Sequence, residues 1–509
     1  MRYVDGTLQP DSAFNVRPAA LASLADAADS AYPRLSAAPP RARALRYALL
    51  QRFNQLVLKL LPLVHTGGRD AASLGGRLGL LRGLVFMEVK LGALQRTFAA
   101  SATDADPIPI ALNRHRAAKP RADANEKASH SVFAQLCDQL AVVPPRALCR
   151  HDKAFRVNFV GEAADDHGGP YREALAQICA ELHSDTLPLL VRSPNCVHGA
   201  GGNREVYVPN PSALGANELD WYCFVGQLLG LALRQRETQL ALSLPSVVWK
   251  QLVGEPLGTD DLDGFDAMCR SSLDALRHID RDGVDASTFA DVIFETFTTR
   301  LSDGTAVELL AGGEEVPVTW ENRAEYCDAV AQARLGEAQR QCDALLQGLS
   351  YMVPQRLLAL FTWRQLEVLT CGTADVDVDV LRAHTKYGVG VSPNQRHVRH
   401  FWAALRRFTP EQRSLFLRFV WGRARLPVGA ADWGDSKLTI HAKHSASPDG
   451  MFPIAHTCFF SLELPAYTTA AICHARLLYA ITHCQDIDVD TTSGARENRD
   501  AAVEDDDDD

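Results

Sequence analysis

The segment PIAHTCFFSLELPAY, residues 453–467, contains a strand-like pattern with a cysteine at its start. Its second half alternates apolar and polar side chains, which predicts a half-buried strand. The alternating residues are Phe460, Ser461, Leu462, Glu463 and Leu464. Cys458 comes just before this run and follows the polar pair His456 and Thr457. A thiol at such a junction can be exposed, whereas a thiol inside the apolar run would be inert, so the segment indicates a candidate nucleophile.

Cys458 has two interpretations on these residues alone. A free thiol has a pKa of ~8.5, and its small thiolate fraction at neutral pH is intrinsically nucleophilic. Free cysteine is also among the residues most often buried. Because the chain has twelve cysteines, any one of them is more often part of the packing than a catalyst. The pattern leaves a nucleophile and a packing thiol both open.

Strand-like and helical segments alternate along the middle of the chain. FRVNFVGE (155–162) alternates like a strand, and YREALAQICAEL (171–182) has helical spacing. WYCFVGQLLGLALR (221–234) is apolar nearly all round, which indicates a buried helix. Gly226 and Gly230 lie four residues apart on it, which predicts a close contact with a second helix.

The first 150 residues differ from the rest in composition and periodicity. Residues 1–40 are rich in Ala, Ser and Pro and are expected to form a loose lead-in. From Arg41 to about Ala100 the periodicity is helical, with one apolar face formed by Leu45, Leu49, Phe53, Leu56 and Leu60. Residues 101–129 are polar, basic and contain proline, which predicts a loop or linker.

Composition excludes several classes of protein. The chain has 509 residues, is 47% hydrophobic and carries a net charge of −10, and the stretch 485–509 holds −9 of that charge. The rest has no basic bias, so we expect no nucleic-acid partner. No run approaches the ~18 apolar residues of a membrane span. The cysteines have no C-x-x-C spacing, so we expect no metal site, and free thiols favour a reducing compartment, the cytoplasm or the nucleus.

A series of motifs runs in one order through the C-terminal two thirds. The chain from about Arg150 to Asp488 resembles the HECT-type ubiquitin ligase domain, and the part before it is similar to the region that precedes this domain in some large members. The matching motifs are FVGEAADDHGGPYREAL (159–175), YVPNP (207–211), FVGQLLGLALR (224–234), LPSVVWKQLVG (244–254), VTWENRAEY (318–326), LEVLTCG (366–372), FW (401–402), FLRFVWGRARLP (416–427) and HTCFFSLELPAY (456–467).

The resemblance implies a bilobal α/β (α+β) fold, with a large, mostly helical N-lobe, a smaller α/β C-lobe and a hinge between them. The hinge would comprise Gly372, Thr373 and Ala374, and Gly372 also suits a helix stop. The implied boundaries are a lead-in at 1–40, a helical region at 41–149 containing the linker 101–129, the N-lobe at 150–371, the hinge at 372–374, the C-lobe at 375–487 and an acidic disordered tail at 488–509.

The resemblance also implies a reaction and its partners. A ubiquitin-conjugating enzyme would dock on the N-lobe. Tyr326 and Val330 align with the N-lobe positions that form the hydrophobic groove for this enzyme, although an apolar stripe on a helix is as often part of the core. Cys458 would accept ubiquitin as a thioester, with His456 assisting, and a lysine of a protein substrate would then take the ubiquitin. Neither step requires a cofactor or a metal in this chain. Here the chain departs from family members that end in an aromatic residue, because no aromatic follows Tyr479.

Two other functions remain open at this stage. The chain could be a catalytically inactive scaffold of the same fold that binds ubiquitin or a conjugating enzyme, although the intact HTCF segment argues against it. It could also be a cysteine hydrolase, but His456 is too close to Cys458 in sequence to count as an independent member of a triad.

Overall fold

The structure is a computed structural model, and it describes most of the chain between residues 39 and 483. The described residues are 2–4, 7–9, 39–64, 73–150, 152–161, 169–235, 239–372, 376–421, 425–426, 433, 436–456 and 460–483.

Helices dominate the part before residue 372. Up to residue 234 the elements are β1 (Arg2–Val4), β2 (Thr7–Gln9), α1 (Pro40–Leu60), α2 (Leu74–Leu80), α3 (Met87–Ser101), β3 (Ile108–Leu112), α4 (Arg114–Ala117), α5 (Ala124–Ser129), α6 (Val132–Ala141), β4 (Phe155–Phe159), α7 (Gly169–Leu182), β5 (Leu190–Arg192), α8 (Pro194–His198), β6 (Tyr207–Pro209) and α9 (Ala216–Arg234). They continue with α10 (Ser246–Val253), α11 (Ala267–Arg277), α12 (Phe289–Val292), β7 (Thr298–Arg300), β8 (Ala306–Glu308), α13 (Arg323–Gly336), α14 (Gln339–Met352), α15 (Gln355–Leu358) and α16 (Trp363–Cys371).

The part after residue 375 is smaller and contains a four-stranded sheet. Its elements are α17 (Val378–Ala383), β9 (Thr385–Tyr387), α18 (Arg396–Arg407), α19 (Pro410–Trp421), β10 (Leu438–Lys443), β11 (Ile454–His456), β12 (Ser461–Pro465) and α20 (Ala470–His483). The strand order is β11-β12-β10-β9. Strand β10 runs parallel to β9 and β12, and β11 pairs antiparallel with β12. In the first part, the described strands form two-stranded sheets.

Two hydrophobic cores divide the described residues. The N-terminal core contains buried side chains from Val57 to Cys371, and the C-terminal core contains buried side chains from Val376 to Ile481. This arrangement confirms the predicted two-part α/β fold. Among the helices that the structure describes, none is both apolar enough and long enough to cross a bilayer.

The predicted buried helix forms the centre of the N-terminal core. Helix α9 packs along α14, and the glycines of both helices permit the contact. A Cβ atom added at Gly226 would collide with the carbonyl oxygen of Leu345, and one added at Gly348 would collide with the carbonyl oxygen of Cys223. Gly230 lies against the side chain of Met352. The close approach expected from the glycine spacing is confirmed.

The prediction that residues 101–129 form a linker is wrong in the structure. Strand β3 lies in this segment and pairs in parallel with β4, Ile110 opposite Val157 and Leu112 opposite Phe159. Helices α4 and α5 follow it. Ile110 and Leu112 are buried, so the alternation IPIAL carries a strand signal. That signal spans only five residues between proline and basic side chains, which is why the polar composition hid it.

The predicted apolar face of the first helix is also incorrect. Leu49 and Leu56 of α1 are 44% and 45% exposed, whereas Val57 is buried. The reason lies in Asn54, whose side-chain amide donates to the carbonyl oxygen of Leu84, while its Oδ1 accepts from the backbone N–H of Phe86. These bonds turn the Asn54 side of α1 toward the core.

Candidate functional site

The start of β12 and the end of β11 flank the candidate nucleophile. Thr457, Cys458 and Phe459 lie outside the described residues, so the structure gives no position for Cys458. The strand predicted at 458–465 is present from Ser461 to Pro465, and it pairs with β11 so that His456 lies opposite Ser461. His456 and Ser461, the residues on either side of this gap and Phe460, therefore belong to antiparallel neighbours in one sheet.

His456 contacts a carboxylate on the neighbouring strand. Its Nε2 lies 3.0 Å from Oε1 of Glu463, and both side chains are partly exposed. The contact is possible because His456 and Glu463 project from adjacent strands, β11 and β12. A carboxylate in this position orients the imidazole ring through a hydrogen bond. The structure thus adds Glu463 as a partner of the histidine predicted to assist.

An open groove runs along the same side of the sheet. Its volume is about 830 Å³, and polar and basic side chains dominate its lining: Thr439, His441, Ala442, Lys443, His444, His456, Ser461 and Glu463. Strand β10 supplies much of this lining, and its register sets His441 beside Glu463. On the opposite side of the strands, Ile440 and Leu462 are buried in the C-terminal core. The alternation of each strand therefore produces one packed face and one polar, open face.

The backbone turns sharply at Phe460, directly after the undescribed residues. Phe460 has a φ of +47°, a left-handed conformation that non-glycine residues seldom adopt. Its ring is stacked on the indole of Trp421, and its carbonyl oxygen accepts a hydrogen bond from the backbone N–H of Thr439. Packing and hydrogen bonding thus hold a conformation that costs about 1–2 kcal/mol on its own. They fix the backbone at the first described residue after Cys458.

Most of the described cysteines are poor nucleophiles. Burial is the main cause that raises the thiol pKa of eight of them, namely Cys137, Cys149, Cys223, Cys269, Cys327, Cys342, Cys371 and Cys473. The pKa rises to about 12 for Cys473 and to about 11 for Cys269. Because the thiolate is the reactive form, these eight residues belong to the packing.

Tyr326 and Val330 lie in the N-terminal core rather than in an open groove. Tyr326 is 8% exposed and Val330 is 3% exposed. The ring of Tyr326 contacts that of Phe297, with centroids 5.5 Å apart, and burial raises the pKa of its hydroxyl to about 12. The apolar stripe on α13 faces inward, where α11, the turn Thr259–Gly264 and β7 pack against the helix. As contact residues the two side chains offer little surface, so their docking role remains a prediction.

The predicted hinge is described only at its first residue. Gly372 ends helix α16 with a φ of +78°, which confirms the predicted helix stop. Thr373 and Ala374 lie outside the described residues. Beyond them, the alternating stretch after residue 375 forms helix α17, begun by the side chain of Asp377, which accepts from the backbone N–H groups of Asp379 and Val380.

The sequence did not single out Glu463, Trp421 or the groove on β10. A weak signal existed for Glu463, because its alternation with Leu462 and Leu464 places it on the polar face. The partner of that carboxylate, His456, could not be read from the sequence, since the contact depends on the antiparallel pairing of β11 with β12. Within the described residues, no group of three or more His, Cys, Asp and Glu side chains is arranged to hold a metal ion.

Comparison with known proteins agrees with this architecture. The family model described as HECT-domain (ubiquitin-transferase) matches residues 176–489, more than half of the chain. The mouse E3 ubiquitin-protein ligase HERC2 is 33% identical over 483 residues, which cover 93% of this chain and 10% of the relative. The human probable E3 ubiquitin-protein ligase HECTD4 is 29% identical over 91% of this chain and 12% of its own length.

A further relative aligns with a shorter part of the chain. The human E3 ubiquitin-protein ligase HECW1 is 31% identical over 331 residues, 64% of this chain and 20% of the relative. The chain therefore spans between a tenth and a fifth of the length of these curated relatives. The matches to HERC2 and HECTD4 cover more than nine tenths of it, so they include residues before the family model begins. On the match of that model, the chain belongs to the HECT-domain (ubiquitin-transferase) family.

Proposed function

We propose that this chain accepts ubiquitin from a ubiquitin-conjugating enzyme as a thioester on Cys458 and transfers it to a lysine of a protein substrate. The observation that carries the proposal is the family match over a segment whose flanking strands leave an open polar groove. The eight described thiols with raised pKa values are poor alternatives. The partners are ubiquitin, the conjugating enzyme and the substrate.

The two steps exchange one acyl bond at a time. The Sγ thiolate of Cys458 attacks the carbonyl carbon of the ubiquitin C-terminal glycine, a new thioester bond forms, and the thiolate of the conjugating enzyme leaves. A substrate lysine amine then attacks the same carbonyl carbon, the Cys458 thiolate leaves, and the amine loses a proton as the isopeptide bond forms. The first step is nearly isoenergetic, so alignment of the reacting atoms contributes more than strong acid or base catalysis.

His456 is proposed to assist these steps, and Glu463 to orient it. His456 lies two residues before Cys458, and its imidazole lines the groove. The 3.0 Å contact with Glu463 limits the rotation of the ring. A partly exposed imidazole can accept the proton that the attacking amine loses, or donate a hydrogen bond to the thioester carbonyl. Glu463 acts through His456 and is a positioning residue.

The conjugating enzyme is proposed to dock over the layer that covers Tyr326 and Val330. Because these two side chains are buried, they support the surface while neighbouring residues make the contact. Phe294 is 81% exposed and precedes Phe297, whose ring contacts Tyr326. Aromatic side chains, phenylalanine included, are enriched at protein interfaces relative to the rest of the surface.

The test is a charging assay with activating enzyme, conjugating enzyme, ATP and ubiquitin. The intact chain should form a ubiquitin adduct that is cleaved by a reducing agent, and Cys458→Ala should not form it. Cys196→Ala is the matched control, because Cys196 is partly exposed and lies on α8 in the N-terminal part. Persistence of the reducible adduct in Cys458→Ala would contradict the proposal.

The same assay separates the two alternative functions. Binding of the conjugating enzyme without any charging would favour the inactive scaffold. Charging followed by release of ubiquitin to water, with no lysine product, would favour a hydrolase.

A further inference from the structure

Arg425 belongs to the C-terminal part of the chain but binds the N-terminal part. It lies between α19 and β10, next to Leu426, which is buried in the C-terminal core. Its Nη1 lies 3.1 Å from Oε1 of Glu367 on α16, and its Nη2 donates to the carbonyl oxygen of Leu242 at 3.3 Å. One side chain thus reaches two segments that contribute to the other core.

The same guanidinium also contacts the predicted hinge. Nη1 of Arg425 lies 3.4 Å from the carbonyl oxygen of Gly372. A Cβ atom added at Gly372 would lie 2.8 Å from the carbonyl oxygen of Leu426 and 3.1 Å from Cβ of Arg425. The backbone of residues 425–426 therefore packs directly on Gly372, the residue that follows α16, and only a glycine fits there.

The contact is shielded from solvent. The side chains of Arg425 and Glu367 are 11% and 18% exposed. Ion pairs on the open surface contribute little, but a partly buried pair is screened less by salt and water. The planar guanidinium offers several donors in a fixed arrangement, which a lysine cannot reproduce. These properties suit a contact that selects one orientation of the C-terminal part relative to the N-terminal part.

We propose that Arg425 is a positioning residue that fixes the orientation of the C-terminal part relative to the N-terminal part through Glu367, Leu242 and Gly372. The inference rests on the proposed function, because the nucleophile and the docked conjugating enzyme would lie on different parts. With the contact in place, the C-terminal part takes a restricted set of orientations relative to the N-terminal part. Without it, the productive orientation is a smaller fraction of the population, and charging slows.

The experiment measures orientation and chemistry separately on the full chain. Fluorophores attached through unnatural amino acids at Val142 and Val389, both strongly exposed and one in each part, report the distance distribution by single-molecule energy transfer. Arg425→Ala and Glu367→Gln should each broaden or shift that distribution, and Arg425→Lys should give an intermediate result. Arg406→Ala is the control, because Arg406 pairs with Asp379 inside the C-terminal part.

Two rates complete the test. Arg425→Ala should slow charging by the conjugating enzyme by at least about fivefold, a typical size for coupling between sites. Discharge of the preformed thioester to free lysine should be unchanged, because that small nucleophile needs no fixed orientation of the two parts. A loss of both rates with a lowered melting temperature would indicate a structural role and overturn the inference.

The outcomes distinguish this inference from the proposed function. If the wild-type chain fails to charge, the proposed function is contradicted, and the distance distributions still decide whether Arg425 sets the orientation. If the wild-type chain charges and Arg425→Ala changes neither the distribution nor the charging rate, the positioning role is overturned. Faster charging in Arg425→Ala would overturn it as well.

Discussion

The ring of Phe460 lies parallel to the indole of Trp421, with centroids 4.0 Å apart and an angle of 4° between the planes. Trp421 in turn stacks on Trp433, and Trp433 on His384. This column of rings anchors the first described residue after Cys458 to the last residue of α19. Packing in the C-terminal core therefore stabilises the left-handed backbone at Phe460.

We expect Phe460→Ala to destabilise the C-terminal part by about 3–5 kcal/mol, because a buried ring is removed from a close-packed site. Phe460→Gly should lose the same stack but relieve the left-handed backbone, so it should cost less than Phe460→Ala. Denaturant unfolding followed by the tryptophan fluorescence of the C-terminal part measures both. Phe452→Ala serves as the control, since Phe452 stacks on a half-exposed partner, Tyr479. Equal stability of the alanine and glycine variants at position 460 would contradict a strained backbone.

Glu463→Gln should slow charging by about tenfold while leaving the affinity for the conjugating enzyme unchanged. The carboxylate that orients His456 is lost, and losing a hydrogen-bond donor aimed at a reacting carbonyl typically costs this much or more. The measurement is the charging rate as a function of conjugating-enzyme concentration, so that the maximal rate and the half-saturating concentration separate. Glu463→Asp should recover part of the rate.

A carboxylate outside the groove controls for general charge effects on the C-terminal part. Asp449 accepts hydrogen bonds from Thr468 and does not line the groove, so Asp449→Asn should charge normally. If Glu463→Gln also charges at the wild-type rate, His456 does not depend on this carboxylate.

Phe294→Ala should weaken binding of the conjugating enzyme by about tenfold or more, because truncation of an aromatic interface anchor typically costs more than 1 kcal/mol. The exposed ring contributes little to folding, so thermal stability should stay within experimental error. Binding is measured by calorimetry or fluorescence anisotropy. Val389→Ala, which changes a fully exposed side chain of the C-terminal part, should bind normally. Unchanged affinity in Phe294→Ala would place the docking surface elsewhere.

Gly348→Ala should destabilise the N-terminal part by at least about 2 kcal/mol, because the added methyl group meets the carbonyl oxygen of Cys223 on the facing helix and neither backbone can move freely. Gly336→Ala is the matched substitution at the end of α13, where an added Cβ meets nothing within 4 Å. It should be neutral or slightly stabilising. Differential scanning calorimetry compares the two variants. Similar melting temperatures would mean that α9 and α14 are further apart than the structure has them.

Stability should fall as the pH rises above about 9, because the unfolded chain then releases thiol protons that the folded chain keeps. Burial raises the pKa of Cys473 to about 12, so its contribution is fully present below the unfolded pKa and is lost between the two values. Each such group contributes up to about 1.4 kcal/mol per pH unit. Cys473→Ala should reduce the slope of unfolding free energy between pH 9 and 10.5. An unchanged slope in Cys473→Ala would contradict a protonated buried thiol.

Local patterns predicted much of the fold. The alternation around Val157 predicted β4, and Gly226 with Gly230 predicted a close helix contact, because both signals depend only on residues near in sequence. The apolar face of α1 was predicted wrongly because Asn54, a polar residue, binds backbone groups some thirty positions away. Strand β3 was missed because its stability comes from pairing with β4, about 45 residues later.

The candidate site divides in the same way. His456 could be proposed from its place beside Cys458 and from the resemblance. Glu463 and Arg425 could not be proposed from the sequence. Glu463 meets His456 through the pairing of β11 with β12, and Arg425 meets Glu367 where the two parts of the folded chain contact each other. For Tyr326 and Val330 the sequence left core packing and docking both open, and the structure buries both side chains, so their docking role stays a prediction.

The continuous N-terminal core has a practical consequence for dissecting this protein. Val57 and Leu94 share one packed interior with Leu349 and Cys371, and β4 has β3 as its partner strand. A fragment that starts at residue 176, where the family model begins, would lose both strands and expose apolar surface on the large lobe. We therefore expect the smallest soluble, active fragment to start before Pro40, and shorter ones to aggregate when expressed.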